Sequence, residues 1–210
     1  MYNKLQYISQ GATPDEQWFN IQMALDNGCQ WIQLRYKNGT NMELSALAAT
    51  VKKHCEQFAA TFIINDNPEL VKQIDADGVH LGLQDMSVTE ARSLLGAAKI
   101  IGGTANTFED IAQRFNEQCN YIGLGPYRFT TTKQQLSPVL GAAGYQSLLS
   151  RMKTHNINIP VYAIGGITMT DIPELMATGV YGIAVSGLIT LQDNKKELLT
   201  QLNQQLYGSF

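Results

Sequence analysis

Cysteine is scarce in this chain: only Cys29, Cys55 and Cys119 occur among 210 residues. They are odd in number, far apart and free of any CxxC pair. That excludes a disulfide framework and a zinc ribbon and suits buried thiols in a reducing compartment. A basic excess is also lacking, since 15 Lys and Arg stand against 18 Asp and Glu, for a net charge of −3. A general nucleic-acid binder carries the opposite balance, and the scattered basic residues form no polybasic membrane anchor. No apolar leader follows Met1, where the chain reads Tyr2-Asn3-Lys4-Leu5-Gln6, so no signal peptide is expected. Charged residues make up 16% against 44% hydrophobic, which excludes extended disorder. The stretch 175–192 holds no Asp, Glu, Lys or Arg. Its Gly179, Gly182, Ser186 and Gly187 mark it as a buried strand with flanks rather than a membrane span.

What is present is an alternation. Eight short apolar runs, most rich in Ile, Val, Tyr or Phe, lie at 5–9, 31–37, 62–66, 78–83, 100–105, 121–126, 161–167 and 182–189. Helix start signals fall between them. Thr13-Pro14-Asp15-Glu16 offers an N-cap, a first-turn proline and a capping-box acid. Thr40 with Glu43 and Ser87 with Glu90 repeat the box, and Asn67-Pro68 and Thr107 offer further caps. A last helix over roughly 195–206 carries Leu198, Leu199, Leu202 and Leu206 on one face. Strand, loop and helix repeated eight times, without linker or low-complexity tract, predict an α/β fold. It is a single (β/α)8 TIM barrel forming one domain over 1–210. A doubly wound open sheet is the alternative, but its glycine-rich dinucleotide turn is missing.

Functional groups of such a barrel belong at the C-terminal ends of the strands. In the second run Gln33, Arg35 and Lys37 share one face by strand alternation, while Ile32, Leu34 and Tyr36 share the other. Two cations aimed into a barrel mouth suggest an anion site, with Arg35 able to grip phosphate oxygens bidentately. Asp66 and Asp85 each lie just past a strand end and could share one Mg²⁺ with substrate phosphates. Asn and Asp in such places also make ordinary turns and caps. His80 sits mid-strand and reads as a hydrogen-bonded core histidine. Thr130, Thr131, Thr132 and Lys133 make a hydrophilic loop suited to oxyanions. Gly165-Gly166 and Ser186-Gly187 close the last two strands, where barrels often bind phosphate. Two anion-binding regions, one with paired carboxylates, suit two phosphorylated substrates.

These residues, in this order, make the chain resemble the thiamine phosphate synthase family over nearly its whole length, from about Lys4 to Ile189. The resemblance rests on Gln33-Leu34-Arg35-Tyr36-Lys37, Asn65-Asp66, Asp77-Gly78-Val79-His80-Leu81-Gly82 with Asp85, and Ile101-Gly102-Gly103-Thr104. It rests further on Gly123-Leu124-Gly125-Pro126, Thr130-Thr131-Thr132-Lys133, Ile164-Gly165-Gly166-Ile167 and Val185-Ser186-Gly187. It implies a cytoplasmic transferase whose partners are small molecules, with no nucleic acid and no membrane. The activity implied is condensation of a pyrimidine-methyl diphosphate with a thiazole-ethyl phosphate, or its 2-carboxy form, releasing pyrophosphate. The pyrimidine diphosphate would be bound by the Gln33 to Lys37 segment (Gln33, Leu34, Arg35, Tyr36, Lys37), with Asn65, Thr104 and Lys133. The thiazole phosphate would be bound by Thr130, Thr131, Thr132, Gly166, Val185 and Ser186. Asp66 and Asp85 would hold one Mg²⁺ per subunit, and Arg35, Lys37 and Lys133 would be the catalytic cations.

The chain departs from the family pattern at three places. Tyr36 stands where many members have Glu, Leu83 where Gln is frequent, and Phe129 where Pro usually precedes the threonines. The implied mechanism is dissociative: pyrophosphate leaves and the thiazole nitrogen attacks the methylene cation. It requires no protein nucleophile, and the sequence offers no convincing nucleophile–base pair. Two rival readings remain: a thiazole tautomerase-like isomerase, and a non-catalytic phosphate-binding barrel acting as a sensor. Paired Asp66 and Asp85 with Lys133 favour the synthase, because isomerising one monophosphate needs none of them.

Overall fold

The computed structural model describes residues 2–129 and 138–208. Eight strands form a closed, all-parallel barrel in chain order, β1 pairing with both β2 and β8. They are β1 (Leu5–Ile8), β2 (Trp31–Leu34), β3 (Thr61–Asn65), β4 (Gly78–Leu81), β5 (Ile100–Ala105), β6 (Tyr121–Leu124), β7 (Val161–Ile164) and β8 (Gly182–Val185). Every strand coincides with one of the eight apolar runs, β3 alone beginning one residue before its run, at Thr61, so the barrel expectation holds. The last apolar run is only partly strand. β8 stops at Val185 and a short helix, α8 (Gly187–Thr190), begins beside Ser186, so the apolar Ile189 is buried from a helical turn.

The outer ring is α1 (Pro14–Asp26), α2 (Asn41–Gln57), α3 (Pro68–Ile74), α4 (Val88–Leu95), α5 (Phe108–Asn116), α6 (Gly141–Thr154), α7 (Ile172–Thr178) and α9 (Lys195–Tyr207). The caps form as the sequence requires. Thr40 with Glu43, Ser87 with Glu90 and Thr107 with Asp110 each close a reciprocal capping box. Thr13 accepts from the Glu16 N–H, but Glu16 reaches back to the Ala12 N–H, one residue earlier than a box demands. α6 starts at Leu140 with no side-chain cap, so no start signal announced it.

Strand alternation sorts the core into two regions. Ile32, Leu34, Phe62, Ile64 and Val79 face the helices with their apolar stripes. Trp31, Ile63, Tyr121 and Tyr162 fill the barrel interior with Ile8 and Ala184. The rings of Trp31, Tyr121 and Tyr162 meet edge to face, with centroids 5.2–5.4 Å apart. The interior is therefore packed solid below the C-terminal mouth.

Candidate active site

β2 delivers its polar residues to that mouth as a staircase. Gln33 is buried in the barrel interior, where its Nε2 donates to Gln6 Oε1 at 3.2 Å. Arg35 is half-buried just past the strand end, its main-chain N–H donating to Ser9 Oγ at 2.9 Å. Burial pushes the Arg35 guanidinium down from its ordinary pKa, and the charge of Asp66 pushes it back up. Lys37 is exposed, with Nζ 3.2 Å from Asp66 Oδ2.

Asp66 directly follows β3 and holds a left-handed φ of 61°, a conformation Asp tolerates better than most residues. Its main-chain N–H donates to the His80 carbonyl at 2.9 Å, which ties the end of β3 to β4. Asp85, past the end of β4, accepts from the Gly82 N–H at 2.6 Å. The two carboxylates stand on the turns after adjacent strands, close enough to influence each other's charge. Burial first, and then the neighbouring Asp66, hold the Asp85 carboxyl above the usual carboxylate range, against the pull of the Gly82 N–H and Lys37. Asn65 closes β3, in register with His80, and Thr104 faces His80 from β5. Arg114 on α5 is buried and donates to the carbonyls of both Gly82 and Thr104, fixing the ends of β4 and β5 together.

The other side of the mouth is built by β6 to β8. Gly165 and Gly166 adopt φ of 93° and 67°, and a Cβ on Gly166 would lie 2.9 Å from the Phe129 carbonyl oxygen. The chain leaving β6 therefore passes directly over the glycine pair, with the Tyr127 and Arg128 N–H groups donating to Ile164 and Gly165. Asn106 staples both sides of the following segment, donating to the Gly125 carbonyl at 3.0 Å and to the Pro138 carbonyl at 2.9 Å. Thr130, Thr131, Thr132 and Lys133 belong to that segment and lie outside the described residues. Ser186 precedes α8 and donates to Gln10 Oε1 at 3.3 Å. Lys195 closes the far end of α8, donating to the carbonyls of Thr190 and Gln192.

Of the residues singled out from the sequence, Gln33, Arg35, Lys37, Asn65, Asp66, Asp85 and Thr104 are carried by β2 to β5 and the turns after them. Gly166 and Ser186 sit on β7 and β8 loops across the mouth. Leu34, Tyr36 and Val185 differ: their side chains are buried in the helix-facing core, so any ligand contact falls to their main chain. His80 is a hydrogen-bonded core residue, as expected. Gln6, Tyr121, Arg114 and Asn106 were missed. Gln6 was readable, because a glutamine two positions before Ile8 faces the interior by the same period-two rule that placed Gln33. Among the described residues no three His, Cys, Asp or Glu side chains gather as a metal cluster, so the acidic pair stands alone. No described helix is long and apolar enough to cross a membrane.

A closed parallel barrel whose polar side chains converge at one mouth defines a (β/α)8-barrel protein of the small-molecule enzyme type. A family model described as thiamine monophosphate synthase matches residues 7–189. A thiamine-phosphate synthase of Flavobacterium psychrophilum is 60% identical over 206 residues, 98% of this chain and 100% of that protein. One from Flavobacterium johnsoniae is 61% identical over 209 residues, covering 100% of this chain and 99% of the relative. Among solved structures, a thiamine phosphate pyrophosphorylase from Pyrococcus furiosus superposes with a TM-score of 0.83 at 27% identity, covering 97% of this chain and 95% of that one. The chain belongs to the thiamine monophosphate synthase family.

Proposed function

We propose that this barrel is a thiamine-phosphate synthase. It joins 4-amino-2-methyl-5-(diphosphooxymethyl)pyrimidine to thiazole-ethyl phosphate and releases pyrophosphate, or to its 2-carboxy form with CO2 lost as well. The observation that carries the reading is the placement of Asp66 and Asp85 past the ends of two paired strands, with Lys37 Nζ 3.2 Å from Asp66 Oδ2. Rearranging a single monophosphate calls for no such pair, whereas expelling a diphosphate does.

The donor set fits a hard cation. Two neighbouring carboxylates repel, and Mg²⁺ commonly takes one or two carboxylates with substrate phosphates and waters completing its shell. Asp66 and Asp85 would hold one Mg²⁺ per subunit. When bound, that ion supplies positive charge to the diphosphate oxygens.

In the reaction the C–O bond from the pyrimidine methylene to the diphosphate breaks, and its electron pair leaves with pyrophosphate. The thiazole nitrogen provides the pair for the new C–N bond. No proton moves to or from a side chain, so the chain's work is charge and position. Arg35 and Lys37 bind diphosphate oxygens, and Lys133 is the third cation by the family resemblance. Asn65 and Thr104 add neutral hydrogen bonds. Gln33, with the main chain of Leu34 and Tyr36, orients the pyrimidine end. Gly166, Ser186 and the Val185 main chain receive the thiazole phosphate, joined by Thr130, Thr131 and Thr132 on the resemblance. Three buried, unpaired cysteines suit a reducing cytoplasm.

The test is pyrophosphate release by the purified chain with Mg²⁺ and both substrates, omitting each in turn. Release that needs all three, with thiamine phosphate formed, is the expected result. A folded protein that binds thiazole phosphate yet releases nothing returns the choice to a tautomerase or a sensor.

A further inference from the structure

A buried polar chain crosses the barrel interior between two of the residues assigned to the pyrimidine diphosphate. Gln33 Nε2 donates to Gln6 Oε1 at 3.2 Å, and Gln6 Nε2 donates to the Tyr121 hydroxyl at 3.2 Å. The Tyr121 oxygen lies 3.0 Å from His80 Nδ1, and His80 Nε2 lies 3.1 Å from Thr104 Oγ1. Gln6, Gln33 and His80 are buried and Tyr121 is fully so. Two glycines make room for the rings. A Cβ on Gly102 would sit 2.1 Å from Tyr121 Cζ, and one on Gly123 would sit 3.0 Å from His80 Cε1.

The Tyr121 hydroxyl accepts from the Gln6 amide and has one hydrogen to give, and His80 Nδ1 lies within its reach. An imidazole that accepts at Nδ1 carries its hydrogen on Nε2 and donates to Thr104. Thr104, having accepted from below, has its own hydrogen left for whatever lies in the mouth above. An anion there needs a donor, and the reverse direction would show it lone pairs instead.

We propose that Gln6, Tyr121 and His80 form a one-way hydrogen-bond relay that aims the Thr104 hydroxyl hydrogen at the diphosphate of the pyrimidine substrate. The proposal rests on the assignment of Thr104 to that substrate. Tyr121 and His80 are positioning residues: they act through Thr104 and fix its donor before the substrate arrives. The relay also explains why a polar network sits in a barrel interior that is otherwise aromatic and aliphatic.

Two measurements test it. The first is long-range ¹H–¹⁵N imidazole NMR of the ligand-free chain at about pH 8, above the ordinary imidazole range, with His80→Gln used to assign the His80 signal. The expected spectrum shows hydrogen on Nε2 and a bare Nδ1, and in Tyr121→Phe that preference weakens. The second is steady-state kinetics of Tyr121→Phe, expected to raise KM for the pyrimidine diphosphate about tenfold while KM for the thiazole phosphate stays put. Hydrogen on Nδ1 in the wild-type chain overturns the relay, and so does an unchanged or evenly raised KM pair in a folded variant. If the wild-type chain releases no pyrophosphate at all, the functional reading falls, and the His80 tautomer still decides the direction of the relay.

Discussion

Lys37 Nζ lies 3.2 Å from Asp66 Oδ2, so a cation from β2 already neutralises a carboxylate from β3 across the rim of the barrel. The pair is exposed enough that it adds little to stability. Its meaning is local: Asp66 is balanced by Lys37, while Asp85, close to Asp66, carries the charge that a divalent ion would neutralise.

Asp85→Ala is therefore expected to abolish Mg²⁺-dependent turnover, a loss of more than about 100-fold, since a metal supplies several kcal/mol at such a site. The fold should persist, the lost Gly82 contact costing about 1 kcal/mol. Pyrophosphate release titrated with Mg²⁺, next to a thermal melt, checks both halves. Full Mg²⁺-dependent activity in the variant would remove Asp85 from the metal site.

Ser186 stands across the mouth from that pair, beside the start of α8. Ser186→Ala should raise KM for the thiazole phosphate roughly tenfold, the worth of one hydrogen bond to a charged group. KM for the pyrimidine diphosphate should change little. Equal effects on both substrates in initial-rate kinetics would argue against two separate phosphate sites.

Asn106 holds the two strands of chain that enter and leave residues 130–137, through carbonyls of Gly125 and Pro138. Asn106→Ala leaves the buried Gly125 carbonyl without that donor and loses the more exposed Pro138 contact, and about 1–3 kcal/mol of stability should be lost. Urea unfolding measures it directly. A change under about 0.5 kcal/mol, the range of ordinary surface substitutions, would show that the staple is dispensable.

Asp171 provides the pH test. Burial pushes its carboxyl up, but hydrogen bonds from the Thr168 N–H and hydroxyl, and the Arg128 guanidinium 2.7 Å away, outweigh burial and hold it below its ordinary value of 3.8. A carboxylate depressed in the folded state stabilises above its unfolded pKa, and that stabilisation is lost as pH falls through the folded value. The stability margin of the wild-type chain over Asp171→Asn should hold from pH 7 to about pH 5 and shrink steadily below about pH 4. Chemical denaturation of the two proteins across that range decides it; a margin that grew on acidification would reverse the assignment.

Much of this architecture was legible beforehand, and the reasons are physical. Each strand is a short β-rich run because a parallel barrel buries both its faces, and Thr40, Ser87 and Thr107 announced helices because caps are local. What stayed hidden was non-local. The Tyr121–His80–Thr104 contacts join β6, β4 and β5, and spacing along the chain cannot show which interior side chains meet. α8 hid inside an apolar run because Leu188 and Ile189 read equally well as strand. The staircase of Gln33, Arg35 and Lys37 was readable as one face, but not that Gln33 would lie buried while Lys37 stood in solvent.

The interlocked rings of Trp31, Tyr121 and Tyr162 have one more consequence. They turn the barrel into a cup with a sealed floor, so every molecule that arrives or departs shares a single doorway. The methylene cation of the proposed reaction, held in such a cup, would be open to stray water from above only. The side on which the second substrate must settle is then also the side it shields, and capture by the thiazole nitrogen competes with hydrolysis on favourable terms.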